Sequence, residues 1–117
     1  MSYDANNIFA KILRGEIPCN KIYEDAFALA FHDIAPEAPV HVLVVPKADC
    51  ISFDDFMQKT DAAFVSGYFK AVQTVAGKLG VVSSGYRLIT NHGADANQSV
   101  AHFHVHILAG KPLGKLL

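Results

Sequence analysis

Between Ala101 and Gly110 the chain reads AHFHVHILAG, with His102, His104 and His106 alternating with Phe103, Val105 and Ile107. Strict alternation is the period of a β-strand, whose successive side chains point to opposite faces. One face of this strand is apolar and the other carries three imidazoles. The apolar face predicts packing against helices. Three imidazoles are poor core filling, so their face is predicted to look outward into a cleft or solvent.

The rest of the chain supplies partners for such a strand. From Asn6, the residues Ile8, Phe9, Ile12 and Leu13 follow helical spacing between an Asn cap and the breakers Gly15 and Pro18. KIYE and FALAFH alternate on either side of Glu24-Asp25-Ala26. They predict a hairpin with Phe27, Leu29 and Phe31 toward the core and Ala28, Ala30 and His32 facing the other way. DIAPEAP is a loop, because Pro36 and Pro39 suit neither a strand interior nor a helix. It leads into Val40–Pro46, an apolar run short enough for a buried strand.

Ser52 caps a stretch with Asp54 and Asp55 in its first turn, and Thr60 or Asp61 starts a longer helix. Phe64, Tyr68, Val72, Val75, Ala76 and Leu79 form its core stripe and Gly80 its stop. Tyr86–Thr90 is a fourth strand, and the polar loop Asn91–Ser99 leads into the histidine strand. The expected class is α+β, a five-stranded antiparallel sheet with two main helices. A chain of 117 residues makes this a single domain, 1–117.

Net charge is −1 with scattered Lys and Arg, which argues against a general nucleic-acid binder but leaves room for a small anionic ligand. No apolar run is long enough to cross a bilayer and the start does not read as a signal peptide. Cys19 and Cys50 match no metal or redox spacing and read as free thiols of a cytoplasmic protein.

Two chemistries compete for the histidine row. Zinc could be chelated by two strand imidazoles, but His102 and His106 are roughly 13 Å apart at strand rise, too far to share one ion without strong bending. A zinc site would need two of the row plus His41, His32 or His92, and no Cys pair helps. The spacing better suits one neutral imidazole acting as nucleophile, with neighbours that hold its tautomer and move protons. His104, flanked on both sides, is that nucleophile on geometry. Asn91, Asn97, Gln98 and Ser99 offer neutral donors for one phosphoryl group, and no GxxxxGK[ST] loop is present for a triphosphate. Asp33, ending a strand, could accept from both hydroxyls of a ribose, or serve as a turn residue.

With these residues in place the chain resembles the histidine-triad (HIT) family. That family's signature, His-φ-His-φ-His-φ-φ with φ apolar, is matched by His102-Phe103-His104-Val105-His106-Ile107-Leu108. NIFAKILRGEIP, FHDIAPEAPVHVLVVPK and NQSVAHFHVHILAG also fall in family order, and they look like the nucleotide-binding Hint branch. The resemblance implies hydrolysis or transfer at the α-phosphorus of purine nucleoside phosphoramidates through a nucleotidyl-histidine, with no metal or other cofactor.

Carried over by position, it implies His104 as nucleophile, Ser99 at the phosphate and leaving group, His106 at the phosphate, and His41 and His102 as supporting imidazoles. It further implies Asp33 at the ribose, with Phe31, His32 and Ile34 beside it. Ile8, Phe9 and Ile12 would form the purine slot, and Asn91 would stand near the phosphate. A homodimer with a continuous sheet is also implied. A Fhit-like hydrolase of dinucleoside polyphosphates and a nucleotide-binding module with incidental turnover are the alternatives. Asn97 stands where a Gly is frequent in the family, Ala101 where a bulkier residue is usual and Ala109 where Gly is common, and the tail KPLGKLL lacks an aromatic end.

Overall fold

The computed structural model describes residues 2–117. Its elements are helix α1 (Ile8–Leu13), strands β1 (Lys21–Glu24), β2 (Ala28–His32) and β3 (Val40–Pro46), helices α2 (Phe53–Lys59) and α3 (Ala62–Lys78), and strands β4 (Arg87–Ile89) and β5 (Val105–Ala109). The five strands form one sheet in the order β1-β2-β3-β5-β4, and every neighbouring pair is antiparallel. The expected α+β class and five-stranded antiparallel sheet are what the structure has.

Local chemistry sets the helix ends. The Asn7 side chain accepts from the Ala10 amide at the start of α1, Ser52 accepts from Asp55 at α2, and Asp61 accepts from Phe64 at α3. Each side-chain oxygen satisfies an amide that the first turn leaves free. Gly80, at φ +69°, lets the chain leave α3 through a left-handed residue.

The sheet is covered on both faces at its centre. Toward α2 and α3, Ala28, Ala30, Val42, Val44, Phe103, Val105 and Ile107 pack with Phe56, Tyr68, Val72 and Val75. Toward α1, Phe9 lies on Leu29, Phe31, Leu43 and Val45. This corrects the reading of β2: Ala28 and Ala30 do not face away from a core but sit fully buried under α3. Packing on both faces makes every residue from Ala28 to Phe31 buried, and only His32 at the strand end is exposed.

The histidine strand is also shorter than its alternation suggests. Ladder pairing with β3 runs from Val40↔Ala109 to Val44↔Val105, and residues 101–104 lie outside it. Continuing that register would set Pro46, which has no amide hydrogen, opposite Phe103. The Phe103 amide instead donates to the Cys50 carbonyl at 2.9 Å.

Tyr68 anchors α3 to the sheet, its buried hydroxyl donating to the Val44 carbonyl at 2.7 Å. Tyr68→Phe leaves that carbonyl without the bond and is expected to cost about 1–3 kcal/mol of stability, read from urea unfolding midpoints.

Candidate active site

The α1 face of the sheet opens into a cleft of about 270 Å³ lined by α1, the end of β2, the loop after it and the histidine segment. Ile8, Phe9, Ile12 and Phe31 make its apolar wall, and His32, Asp33, Ile34, Ser99, His104 and His106 make its mouth. Ile34 is 95% exposed, an apolar side chain held at the entrance with nothing of its own chain on it. A second, more polar cleft contains Asn91, Asn97, His41 and Ala35 and shares Asp33, Ser99 and His106 with the first.

His104 is 4% exposed and its Nδ1 lies 2.7 Å from the His102 carbonyl. A carbonyl only accepts, so Nδ1 carries the hydrogen and a neutral ring has its lone pair at Nε2. Nε2 has no partner among the described residues, and no described side-chain polar atom is both buried and unpaired, so Nε2 reaches the cleft. The Phe9 ring packs edge-on against the imidazole with centroids 4.8 Å apart, and the Thr90 hydroxyl donates to the His104 carbonyl at 2.8 Å. Burial lowers the His104 pKa, with the His102 carbonyl opposing. The neutral, nucleophilic form therefore prevails near neutrality.

His106 has the opposite tautomer. The Glu37 amide donates to His41 Nδ1 at 3.0 Å, so neutral His41 holds its hydrogen on Nε2. That Nε2 lies 2.8 Å from His106 Nδ1 and 3.4 Å from Asp33 Oδ2. His106 Nδ1 accepts from it, leaving an N–H at His106 Nε2 directed to the cleft. The antiparallel register explains the contact: Leu43 pairs with His106 and His41 with Leu108, so both imidazoles project from one face on a diagonal. Burial, then the His104 and His41 rings, push the His106 pKa down to about 4.

Asp33, His41 and His106 bring three donor atoms within 4.8 Å of one another. The Glu37 amide argues against a cation among them. It occupies the Nδ1 lone pair of His41, and the remaining nitrogen is protonated and already bonded to His106.

His102 departs most from expectation. It is fully buried rather than facing a cleft, its Nε2 donating to the Pro46 carbonyl at 3.0 Å and its Nδ1 accepting from the Tyr3 hydroxyl at 2.6 Å. Both ring nitrogens are paired, which is why an imidazole is tolerated there. The support that His104 receives from His102 comes from its carbonyl, not from its ring.

The loop before the triad is held by Gln98, whose Oε1 accepts from Gly93 and whose Nε2 donates to Ile51 and Val100. The Gln98 carboxamide is thus spent on the loop and lies outside the apolar cleft, on a neighbouring groove that also contains Ser99. Asn97 adopts φ 58°, ψ 43°, the left-handed conformation that Asn and Gly tolerate, so the Asn in place of a Gly preserves the turn. Asp33 Oδ1 accepts from the Ala35 amide at 2.8 Å, so the residue is a turn former and a cleft residue together. Tyr3, Glu37 and Thr90 are polar partners that sequence reasoning missed. Only Tyr3 left a signal, as a lone aromatic in the polar stretch SYDANN.

Two outcomes follow. Folded His106 stays neutral down to about pH 4, whereas the unfolded side chain takes a proton near pH 6.5. Between these values the unfolded state binds more protons, so stability falls as pH is lowered through this window. His102 and His104, also shifted down, add the same sign. Urea midpoints measured across that range should drop less steeply for His106→Gln than for the parent chain. Gln98→Ala breaks all three loop bonds and should cost about 1–3 kcal/mol, with faster amide hydrogen exchange at Gly93.

Residues 14–113 match the family model described as the HIT domain. An uncharacterized 13.2 kDa HIT-like protein of Azospirillum brasilense is 51% identical over 116 residues, 99% of this chain and 95% of that protein. The purine nucleoside phosphoramidase of Escherichia coli (strain K12) is 37% identical over 110 residues, 94% of this chain and 92% of the enzyme. A solved histidine triad protein from Clostridium difficile superposes with a TM-score of 0.87 at 44% identity, covering 96% of each chain. A HIT family hydrolase from Clostridium thermocellum gives 0.88 at 42% identity over 96% of this chain and 97% of that one. With its triad, its sheet and these matches in agreement, the chain belongs to the HIT domain family.

Proposed function

We propose that the protein hydrolyses purine nucleoside phosphoramidates, passing the nucleotidyl group first to His104 and then to water. The observation that carries this reading is the pair of complementary tautomers at the cleft: a free lone pair on His104 Nε2 beside an N–H on His106 Nε2. The phosphoramidase relative in Escherichia coli supports the same substrate class.

In the first step His104 Nε2 attacks the α-phosphorus while the P–N bond breaks with its electron pair on nitrogen. The departing amine gains a proton through the solvent-exposed Ser99 hydroxyl at the cleft mouth. The charge arising on the His104 ring is met at Nδ1–H by the His102 carbonyl. His106 Nε2–H donates to a phosphoryl oxygen, and Asn91 stands on the polar side of the same mouth. Water then attacks phosphorus and gives its proton to solvent at the open mouth, the bond from phosphorus to His104 Nε2 breaks with its electron pair returning to the ring, and nucleoside monophosphate is released.

Ile8, Phe9, Ile12 and Phe31 sandwich the purine, with Ile34 closing over it and His32 at the rim. Asp33 retains acceptor capacity for the ribose hydroxyls. Among the described residues no Lys or Arg lines either cleft, which favours a single phosphoryl group over a polyphosphate. A homodimer working in the cytoplasm is part of this reading. None of the described helices is long and apolar enough to cross a membrane, and light scattering measures the assembly.

Incubation with an adenosine phosphoramidate should release amine and nucleoside monophosphate, insensitive to chelators, and His104→Ala should slow this on the order of 10⁴-fold. Faster cleavage of a diadenosine polyphosphate would favour the Fhit-like alternative. Tight monophosphate binding without turnover of either would favour a binding module, and amine release that survives His104→Ala would remove the nucleophile assignment.

A further inference from the structure

We propose that Tyr3 is a positioning residue for His104, acting through His102 from the segment ahead of α1; the proposal rests on the reading of His104 as nucleophile. Tyr3 touches neither cleft. Its hydroxyl lies 2.6 Å from His102 Nδ1, and the two rings meet edge to face with centroids 5.6 Å apart.

The bonding pattern assigns each proton. The Pro46 carbonyl accepts from His102 Nε2, so neutral His102 has its lone pair on Nδ1 and the Tyr3 hydroxyl donates to it. Removing the hydroxyl leaves a buried acceptor without a partner, in a side chain that is fully enclosed. Residues 101–104 lie outside the ladder, so the two ring bonds to Tyr3 and Pro46 are side-chain ties that hold His102 in place, and losing one loosens the residue whose carbonyl holds His104 Nδ1–H. A loosened His102 frees His104 to sample the tautomer with its hydrogen on Nε2, which cannot attack.

The segment is built to hold Tyr3 there. Asp4 Oδ1 accepts from the Asn6 amide at 2.9 Å, and the Asp4 carbonyl accepts from the Asn7 amide at 3.2 Å and Asn7 Nδ2 at 2.8 Å. Arg14 donates to the Ala5 carbonyl at 2.8 Å, tying the same turn to the far end of α1. Phe9 from α1 packs edge-on to both His102 and His104, 6.4 and 4.8 Å between centroids. One aromatic from the segment and one from the helix therefore bracket the two imidazoles.

The test compares Tyr3→Phe, which keeps the ring, with the parent chain and with His104→Ala. Turnover of an adenosine phosphoramidate gives kcat and KM, and ¹⁵N spectra of histidine-labelled protein give the His104 tautomer. The expected result is a roughly tenfold lower kcat, little change in KM because the purine slot is untouched, and a mixed His104 tautomer. Parent-like kcat in Tyr3→Phe beside an inactive His104→Ala would overturn the proposal. So would a lowered melting temperature with an unchanged His104 tautomer. If His104→Ala stays active, the functional reading fails instead, and a parent-like tautomer in Tyr3→Phe still overturns the link from Tyr3 to His104.

Discussion

A single hydrogen bond, from His104 Nδ1–H to the His102 carbonyl, organises the site around it. A backbone carbonyl cannot donate, so the bond dictates the tautomer and delivers a lone pair to the cleft whatever the solvent does. To serve this purpose the carbonyl must be spared from the sheet. The chain accordingly leaves the ladder before Val105, sends the Phe103 amide to Cys50 and receives a hydroxyl from Thr90 on the His104 carbonyl. The irregular stretch replaces ladder bonds with bonds to side chains and loops.

The sheet beneath supplies rigidity. β3 and β5 are neighbouring interior strands with helices over both faces of the sheet, so the strands that carry His41 and His106 are paired on both sides. Rigid backbone lets the 2.8 Å contact between these imidazoles persist without a charge to hold it. The same burial that fixes the rings also strips them of solvent, which keeps His106 and His104 neutral. Position and protonation state thus arise from one cause.

The sequence made the site's membership legible more readily than its wiring. Alternation correctly separated Phe103, Val105 and Ile107 from the imidazoles, because period two assigns faces. It could not say where pairing stops, which depends on Pro46 in another strand, nor that His102 would find acceptor and donor inside the core. Ala28 and Ala30 read as outward for a related reason: a pattern of large and small residues looks like inside and outside, yet here both faces are covered and α3 takes the small ones. Gln98 looked like a ligand for phosphate, since an amide in a polar loop has the same signature whether it bonds substrate or its own loop. Asn97 was ambiguous until its left-handed φ explained it.

The absence of Lys and Arg among the described residues of the two clefts bears on the proposed chemistry. A guanidinium or ammonium would bind the phosphate tightly in the ground state, in substrate and product alike, and such uniform binding does not lower the barrier to chemistry. A neutral N–H from His106 and a neutral lone pair from His104 hold the ground-state anion more weakly. In the proposed mechanism the interaction that grows during attack is between the charge developing on the His104 ring and the His102 carbonyl already aligned with Nδ1–H. On this proposal stabilisation is concentrated in the transition state and the covalent intermediate, and the nucleoside monophosphate leaves a site whose described residues include no fixed cation to retain it.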